Sequence, residues 1–127
     1  MRKGIVFIII FGLIGLAWPS LAQQTPENTV DYLSEALRKA ATHDWAGAKF
    51  AYTQYIVQHP QNPDGYEGRG IANYQLGKYD AALKDLNQAV SFRAYSADVF
   101  YYRGLLNYRN QDYRQTILDL NKAIQEG

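Results

Sequence analysis

The hydrophobic and polar positions of this chain repeat with an offset of 34 residues. Residues 65–92 read GYEGRGIANYQLGKYDAALKDLNQAVSF, and residues 99–126 read VFYYRGLLNYRNQDYRQTILDLNKAIQE. The two segments align without a gap, and their identical pairs include Arg69 with Arg103, Gly70 with Gly104, Tyr79 with Tyr113, and Asp85 with Asp119. A fixed period of this size is typical of proteins built from stacked structural repeats.

A third, less regular copy precedes these two. Tyr32, Ala36 and Trp45 fall at the aligned positions, so the copies cover residues about 29–62, 63–96 and 97–127. Each copy has apolar residues at helical spacing on both sides of a short polar turn. The turns are expected at His43-Asp44, Gly77-Lys78 and Gln111-Asp112. The pattern therefore predicts three helix hairpins, with no strand.

The aromatic and small residues of these copies resemble the tetratricopeptide repeat, whose spacing is W-x2-L-G-x2-Y…A-x3-F…P. The middle copy carries the spacing best, at Tyr66, Gly70, Gly77, Tyr79, Ala82, Leu86 and Ala89. The resemblance implies an all-α domain over residues 29–127, with three helix-turn-helix repeats stacked as a right-handed α-solenoid. It also implies a non-enzymatic adaptor or scaffold that binds a protein or peptide in a concave groove lined by the first helix of each repeat.

The groove positions, carried over by alignment, form an apolar and aromatic set with a few polar members. The aligned positions are Val30, Leu33, Ser34, Leu37, Ala41, Asp64, Glu67, Ile71, Tyr74, Gln75, Asp98, Tyr101, Tyr102, Leu105, Tyr108 and Arg109. The partner-binding residues selected from them are Leu33, Leu37, Glu67, Ile71, Tyr74, Tyr101, Leu105, Tyr108 and Arg109. Some family members hold a peptide's terminal carboxylate with Lys and Asn, but these positions carry Leu33, Leu37, Glu67 and Ile71 here. That binding mode is therefore disfavoured.

Several of these residues have a second interpretation as packing residues. Tyrosine at helical spacing often packs between helices, which we expect of Tyr52, Tyr66, Tyr79 and Tyr113, and which is the alternative for Tyr74, Tyr101 and Tyr108. Arg69 and Arg103 either bind a ligand or pair with Asp85 and Asp119, and we favour the pairing.

The first residues of the chain have the three parts of a secretory signal peptide. Basic Arg2-Lys3 is followed by an apolar run over residues 5–17, and Ser20 and Ala22 place small residues before a cleavage site. We therefore expect a signal peptide over residues 1–22, a flexible leader over residues 23–28, and a mature protein that is periplasmic or secreted and not membrane-bound. The alternative is a retained anchor, but the run is shorter than the roughly 20 residues that span a bilayer.

Composition removes several classes of function. Without Arg2 and Lys3 the chain has 11 basic and 12 acidic residues, so its formal charge is −1 and nothing favours nucleic acid. The absence of cysteine excludes disulfides and thiolate chemistry. His43 and His59 fall in predicted turns without a partner at metal-ligand spacing. No catalytic residue, metal site or cofactor is predicted, and the chain is not expected to be an enzyme.

The last predicted helix suggests an alternative function. Ile117, Leu118, Leu120 and Ile124 cannot all be covered by the helix before them, and a solenoid end is normally capped. Either this helix pairs with a second copy in a homo-oligomer, or the natural chain is longer. In the second case the repeats could be an accessory domain of a longer envelope protein or enzyme.

Overall fold

The computed structural model describes residues 30–127, which form six α-helices. The helices are α1 (Tyr32–Ala41), α2 (Trp45–Gln58), α3 (Pro63–Gln75), α4 (Tyr79–Ser91), α5 (Ala97–Arg109) and α6 (Tyr113–Glu126). Residues 30–127 contain no β-strand. The predicted signal peptide and leader, residues 1–28, lie outside the described residues.

The six helices pack as three consecutive hairpins. The pairs α1–α2, α3–α4 and α5–α6 form the hairpins, and α2 against α3 and α4 against α5 join each hairpin to the next. Each helix therefore contacts mainly its neighbours in the chain, as in other repeat proteins. The predicted all-α class and the stacking of helix hairpins are confirmed.

The turns inside the three hairpins share one backbone geometry. One residue in each turn is left-handed: His43, Gly77 and Gln111 have φ values of 59°, 73° and 64°. Glycine adopts this conformation without a steric penalty, so Gly77 suits its turn best. In the first hairpin the N–H of Asp44 then donates to the Lys39 carbonyl at 2.9 Å, and the other two turns have the equivalent bond. The turns thus fall at the positions expected from the sequence.

Small residues let the two helices of each hairpin approach closely. A Cβ atom built on Gly70 would lie 2.9 Å from the Leu86 side chain, and Leu86 is fully buried. Gly104 has the same relation to Leu120. A glycine inside a helix costs about 1 kcal/mol of helix propensity. At both positions, close packing between the helices explains why the glycine is present.

A buried ion pair joins the two helices of the second hairpin. Arg69 on α3 donates from Nη2 and Nε to the Asp85 carboxylate on α4 at 2.7 and 2.9 Å, and Asn73 Nδ2 donates to the same carboxylate at 3.1 Å. Asp85 is 6% exposed. Arg103 and Asn107 bind Asp119 in the same way in the third hairpin. The favoured pairing of both arginines is confirmed, so they are not free for a ligand.

The four tyrosines expected to pack between helices do not all do so. Tyr52 is 5% exposed, and Tyr66 packs against Phe92 while its hydroxyl donates to the Pro60 carbonyl. Tyr113 differs, because 56% of it is exposed although its ring meets Tyr108 edge-on. No later helix of the described chain covers it.

Candidate functional site

A hollow of about 520 Å³ opens between α1, α2, α3 and α5. We call it the inner groove. Its lining residues are Leu33, Leu37, Ala40, Trp45, Tyr52, Asp64, Glu67, Gly68, Ile71, Asp98 and Tyr102. The hollow is as large as many pockets that bind ligands. Side chains from all three hairpins therefore meet at one site.

The floor of the inner groove is apolar. Leu33 and Leu37 lie on α1, one helical turn apart, and Ile71 lies on α3. Leu37 is 55% exposed, which is a large fraction for a leucine in a small domain. Trp45 and Tyr52 on α2 add aromatic rings to this floor. An occupant could therefore bury apolar side chains here, and burial of such area is the main source of binding free energy.

Gly68 determines where the Tyr52 ring lies. A Cβ atom on Gly68 would lie 2.1 Å from Tyr52 Cζ, so the ring rests directly on the α3 backbone. The aligned positions in the other hairpins carry Ser34 and Tyr102. The absence of a side chain at Gly68 thus lets an aromatic ring from α2 enter the groove lining.

Tyr102 limits the inner groove on the side of α5. Its ring meets Tyr74 at 5.1 Å between centroids and Tyr101 at 5.3 Å, both edge-on. The Gln75 amide donates to the Tyr102 hydroxyl at 3.4 Å. Edge-to-face aromatic pairs of this kind stabilise packing beyond the area they bury. The tyrosine cluster is therefore a fixed wall between the second and third hairpins.

Three carboxylates lie around this apolar floor. Asp64 and Asp98 stand in the first turns of α3 and α5, where the helix dipole favours negative charge. Glu67 is half-buried, and Ser96 Oγ donates to its Oε1 at 2.6 Å. Burial raises the pKa of Glu67 above its ordinary value, the Ser96 hydrogen bond opposes this, and the charges of Asp98 and Asp64 raise it further. The groove is therefore acidic as well as apolar.

The structure brings four of the nine predicted site residues together. Leu33, Leu37, Glu67 and Ile71 all line the inner groove. Tyr74 stands behind them, where it packs against Tyr102. The first two hairpins thus supply the part of the predicted surface that forms one hollow.

The other four residues lie elsewhere on the third hairpin. Tyr101 is 47% exposed and borders a second hollow of about 450 Å³, beside α6. Leu105 is half-buried in α5, and Tyr108 is 63% exposed. Arg109 places its guanidinium 4.5 Å from the centre of the Tyr79 ring, away from the inner groove. Attraction between the cation and the ring accounts for that position.

Sequence reasoning did not select several residues that the structure places in the groove. Tyr52 was expected to act in packing, and Trp45 and Gly68 were not among the aligned groove positions. The available signal was the alignment of Gly68 with Ser34 and Tyr102, which marks a groove position without a side chain. Asp64, Asp98 and Tyr102 were among the aligned groove positions but were not selected.

Residues 30–127 also lack two other kinds of feature. In that range no group of three or more His, Cys, Asp or Glu side chains is arranged to hold a metal ion. None of the helices described there has the length and apolar character needed to cross a membrane. His43 and His59 are both exposed, at the ends of α1 and α2.

Comparison with known proteins agrees with the resemblance seen in the sequence. A family model described as TPR repeat matches residues 72–111, from the second half of α3 to the turn after α5. This segment is therefore similar in sequence to a TPR repeat. The search of curated proteins found no match.

Solved structures with TPR domains have the same fold. The TPR2B domain of yeast Sti1, in its pHsp70 complex, has a TM-score of 0.68 and 22% identity, and the match covers 76% of this chain and 77% of that domain's chain. The second TPR of Spaghetti (RPAP3), bound to the HSP90 peptide SRMEEVD, has a TM-score of 0.71 and 20% identity, with coverages of 84% and 98%. The Sgt2 TPR domain of Aspergillus fumigatus has a TM-score of 0.67 and 24% identity, with coverages of 80% and 67%. At these identities the likeness establishes the fold alone.

Proposed function

We propose that this chain is a non-enzymatic protein-interaction module, and that a peptide segment of its partner binds in the inner groove. The observation that carries the proposal is the apolar floor of that groove, formed by side chains of the first two hairpins in a hollow of about 520 Å³ that the third hairpin also borders. A monomer gains nothing from leaving Leu37 exposed in a concave site, and such exposed apolar surface commonly marks an interaction site.

The similar structures support binding of a peptide, but not binding of the same peptide. The second TPR of Spaghetti is bound to SRMEEVD, which contains three acidic residues. In this chain the inner groove holds Asp64, Glu67 and Asp98 in addition to its leucines. Like charges across an interface oppose binding. We therefore expect SRMEEVD not to bind here.

A peptide selection tests the groove directly. Random short peptides are displayed and selected on the wild-type protein, on Leu37→Asp and on Val57→Asp. Leu37 lies in the inner groove, whereas Val57 is 73% exposed on α2 and does not line it, so both variants place a carboxylate at an exposed helical position. We expect peptides enriched on the wild type to bind Val57→Asp equally and Leu37→Asp at least about tenfold more weakly, a loss of about 1.4 kcal/mol. Equal binding to all three proteins would refute the groove as the site.

We further propose that the mature protein is an exported adaptor or assembly factor of the cell envelope. The support is the sequence of residues 1–22, which has a basic start, then an apolar run, and then small residues at Ser20 and Ala22 before the expected cleavage site. N-terminal sequencing of the protein from fractionated cells tests this. We expect an extracytoplasmic protein that begins at Gln23, whereas a cytoplasmic protein that retains Met1 would contradict the proposal.

The exposed face of α6 favours a second candidate function, self-association. Ile117, Leu118 and Ile124 are 61%, 55% and 78% exposed, and the second hollow beside α6 includes Leu120 and Ile124. A second copy that packs on this face would bury apolar area now in water. Sedimentation over a range of concentrations tests it, with Ile124→Asp as the disruptive variant and Val57→Asp as the control. A wild-type protein that remains a monomer at the highest concentration would rule it out.

A further inference from the structure

The charged groups around the inner groove all have the same sign. Asp64, Glu67 and Asp98 line it, and no lysine or arginine does. Across residues 30–127, no Lys or Arg nitrogen lies within 4.0 Å of any of these three carboxylates. A concave site with charge of one sign and low-dielectric walls concentrates the electrostatic field. The inner groove therefore presents a negative potential to anything that enters it.

The basic residues on α1, α3 and α5 are engaged elsewhere, and Lys49 on α2 lines a different hollow. Arg69 on α3 is bound to Asp85 at 2.7 Å, and Arg103 on α5 is bound to Asp119 at 2.6 Å. Lys39 on α1 pairs with Asp44 at 2.9 Å. Moving any of these cations to the groove would leave its own carboxylate unpaired. The charge of the groove is thus not balanced from within these helices.

Glu67 is the carboxylate for which a cation would matter most. It is half-buried, and its hydrogen bond is to a neutral hydroxyl, that of Ser96. That hydroxyl also accepts the Val99 N–H at the start of α5, so its position is fixed. A partly desolvated carboxylate beside Asp64 and Asp98 is stabilised by an incoming positive charge.

The apolar floor suits the rest of a basic side chain. Lysine and arginine lay their aliphatic stems along apolar surface while their charged ends reach polar groups. Here Leu33, Leu37 and Ile71 offer that surface, and the half-buried Trp45 offers an aromatic ring near which a cation can rest. The same floor accepts apolar side chains on either side of the basic one.

We propose that the segment bound by the inner groove carries lysine or arginine side chains flanked by apolar residues. The carboxylates Asp64, Glu67 and Asp98 bind the cations, and Leu33, Leu37 and Ile71 bind the apolar neighbours. This inference rests on the proposed peptide-binding function, and adds to it the chemical class of the partner segment.

Three pools of displayed peptides test the inference. All pools have the same randomised apolar positions, and they differ only in having Lys, Gln or Glu at two central positions. Each pool is selected on the wild-type protein, and binding is counted only if Leu37→Ala reduces it and Val57→Ala does not, because neither substitution changes the charge of the groove. We expect enrichment to fall in the order Lys, Gln, Glu, and binding of the Lys peptides to weaken as salt concentration rises.

Removal of charge from the protein supplies the matched control. Glu67→Gln with Asp98→Asn removes two charges from the groove with little change of shape, whereas Asp80→Asn with Glu126→Gln removes two exposed charges outside it. For a selected Lys peptide, the first double variant should bind about fivefold more weakly, since an ion pair near the surface contributes up to about 1 kcal/mol. The second should bind as the wild type does.

Each outcome of the selection has a distinct meaning. Groove-dependent peptides with the order Lys, Gln, Glu support the inference. Groove-dependent peptides with no preference, or with a preference for Glu, overturn it while the proposed function stands. A selection that yields no groove-dependent peptide from any pool overturns the proposed function, and the inference with it.

Discussion

The first hairpin and the two that follow it have the same helices but different interiors. In the second hairpin Arg69, Asp85 and Asn73 form a buried ion pair with its hydrogen bonds, and the third repeats the arrangement. At the position of Asp85 the first hairpin has Ala51, which is 2% exposed. Glu35, at the position of Arg69, instead pairs with Arg38 on the same helix. The first hairpin is thus held by apolar contacts without a buried ion pair, whereas the other two combine apolar contacts with one.

The difference shows which features belong to the fold and which to a particular hairpin. The turn geometry and the small residue between helices occur in all three hairpins, at Ala36, Gly70 and Gly104. The buried ion pair is absent from the first hairpin, so the backbone does not require it. Breaking one, however, leaves a buried charge without a partner, which destabilises far more than losing an exposed pair.

Loss of Asp85 should have the largest effect on stability. Asp85→Ala leaves the Arg69 guanidinium and the Asn73 amide without their acceptor, and Asn73 Oδ1 already lacks a hydrogen-bond partner. We expect the free energy of unfolding to fall by about 3 kcal/mol, because one partner of a mostly buried pair remains. Urea unfolding followed by circular dichroism measures it.

The first hairpin provides the control for this prediction. Glu35→Ala breaks the pair with Arg38, whose side chain is 62% exposed. This variant should lose far less stability than Asp85→Ala, since exposed ion pairs contribute little. If the two variants lost similar stability, the ion pairs inside the later hairpins would be no more important than those on the surface.

A side chain at Gly68 should have the next largest effect. Gly68→Ala places a Cβ atom 2.1 Å from Tyr52 Cζ, and Tyr52 is 5% exposed, so the ring has to move. Overpacking costs about 1–3 kcal/mol, and the gain in helix propensity offsets about 1 kcal/mol, which leaves a net loss of about 2 kcal/mol or less. The loss is measured by the same urea titration.

A second substitution tests whether Tyr52 is the cause. Leu86 and Leu120 occupy the position of Tyr52 in the later hairpins, where Tyr102 is tolerated at the position of Gly68. In a Tyr52→Leu background, Gly68→Ala should therefore cost clearly less than in the wild type. An equal cost in both backgrounds would mean that the ring does not cause the strain.

Much of the fold could be predicted because the spacing of residues along the chain determines the helices, the turns and their packing. The 34-residue period, the turns at His43, Gly77 and Gln111, and the pairing of Arg69 with Asp85 all follow from positions that recur along the chain. Helices that contact mainly their chain neighbours make such reasoning sufficient, since few distant contacts decide the structure.

The site was less predictable because it depends on how individual side chains pack. The period assigns Arg109 to the groove face, but the Tyr79 ring attracts its guanidinium to another surface. It also assigns Tyr52 to the interior, where the ring is indeed buried, but gives no sign that the missing side chain at Gly68 lets this ring reach the lining of the groove. Such differences from the prediction come from the size and chemistry of single residues. A repeating pattern identifies only what the repeats have in common.

A smaller effect on stability is expected at the position where the first hairpin has alanine and the second has glycine. Gly70→Ala copies Ala36 of the first hairpin, but its Cβ would lie 2.9 Å from the buried Leu86 side chain. The strain should exceed the gain in helix propensity, for a net loss of about 1 kcal/mol. In the reverse change, Ala36→Gly should also lose about 1 kcal/mol, through helix propensity. Urea unfolding measures both variants. A higher free energy of unfolding in either one would show that the residue at this position is not fitted in size to the helix that packs against it.

The smallest effect on stability is expected for Glu67, which occupies the position that Leu33 has in the first hairpin. Its pKa is raised in the folded protein, chiefly by burial, so folding disfavours the charged form. The wild type therefore gains stability as the pH falls through that raised pKa. The gain is complete once the pH lies below the ordinary pKa of 4.5, because Glu67 is then protonated in the unfolded chain as well. Glu67→Gln keeps an acceptor for the Ser96 hydroxyl and removes the charge. It should be the more stable protein at neutral pH, and this advantage should disappear in acid.

Glu35→Gln provides a control with the opposite sign. The hydrogen bond from Arg38 lowers the pKa of Glu35, so its charge favours folding above the ordinary pKa, and the benefit is lost as pH falls through the lowered value. This variant should be slightly less stable than the wild type at neutral pH, with the difference vanishing in acid. Urea titrations at several pH values measure both variants. If Glu67→Gln destabilised the protein at neutral pH, the charge of the half-buried carboxylate would stabilise the fold. That result would remove the reason to expect that Glu67 needs a cation from a partner.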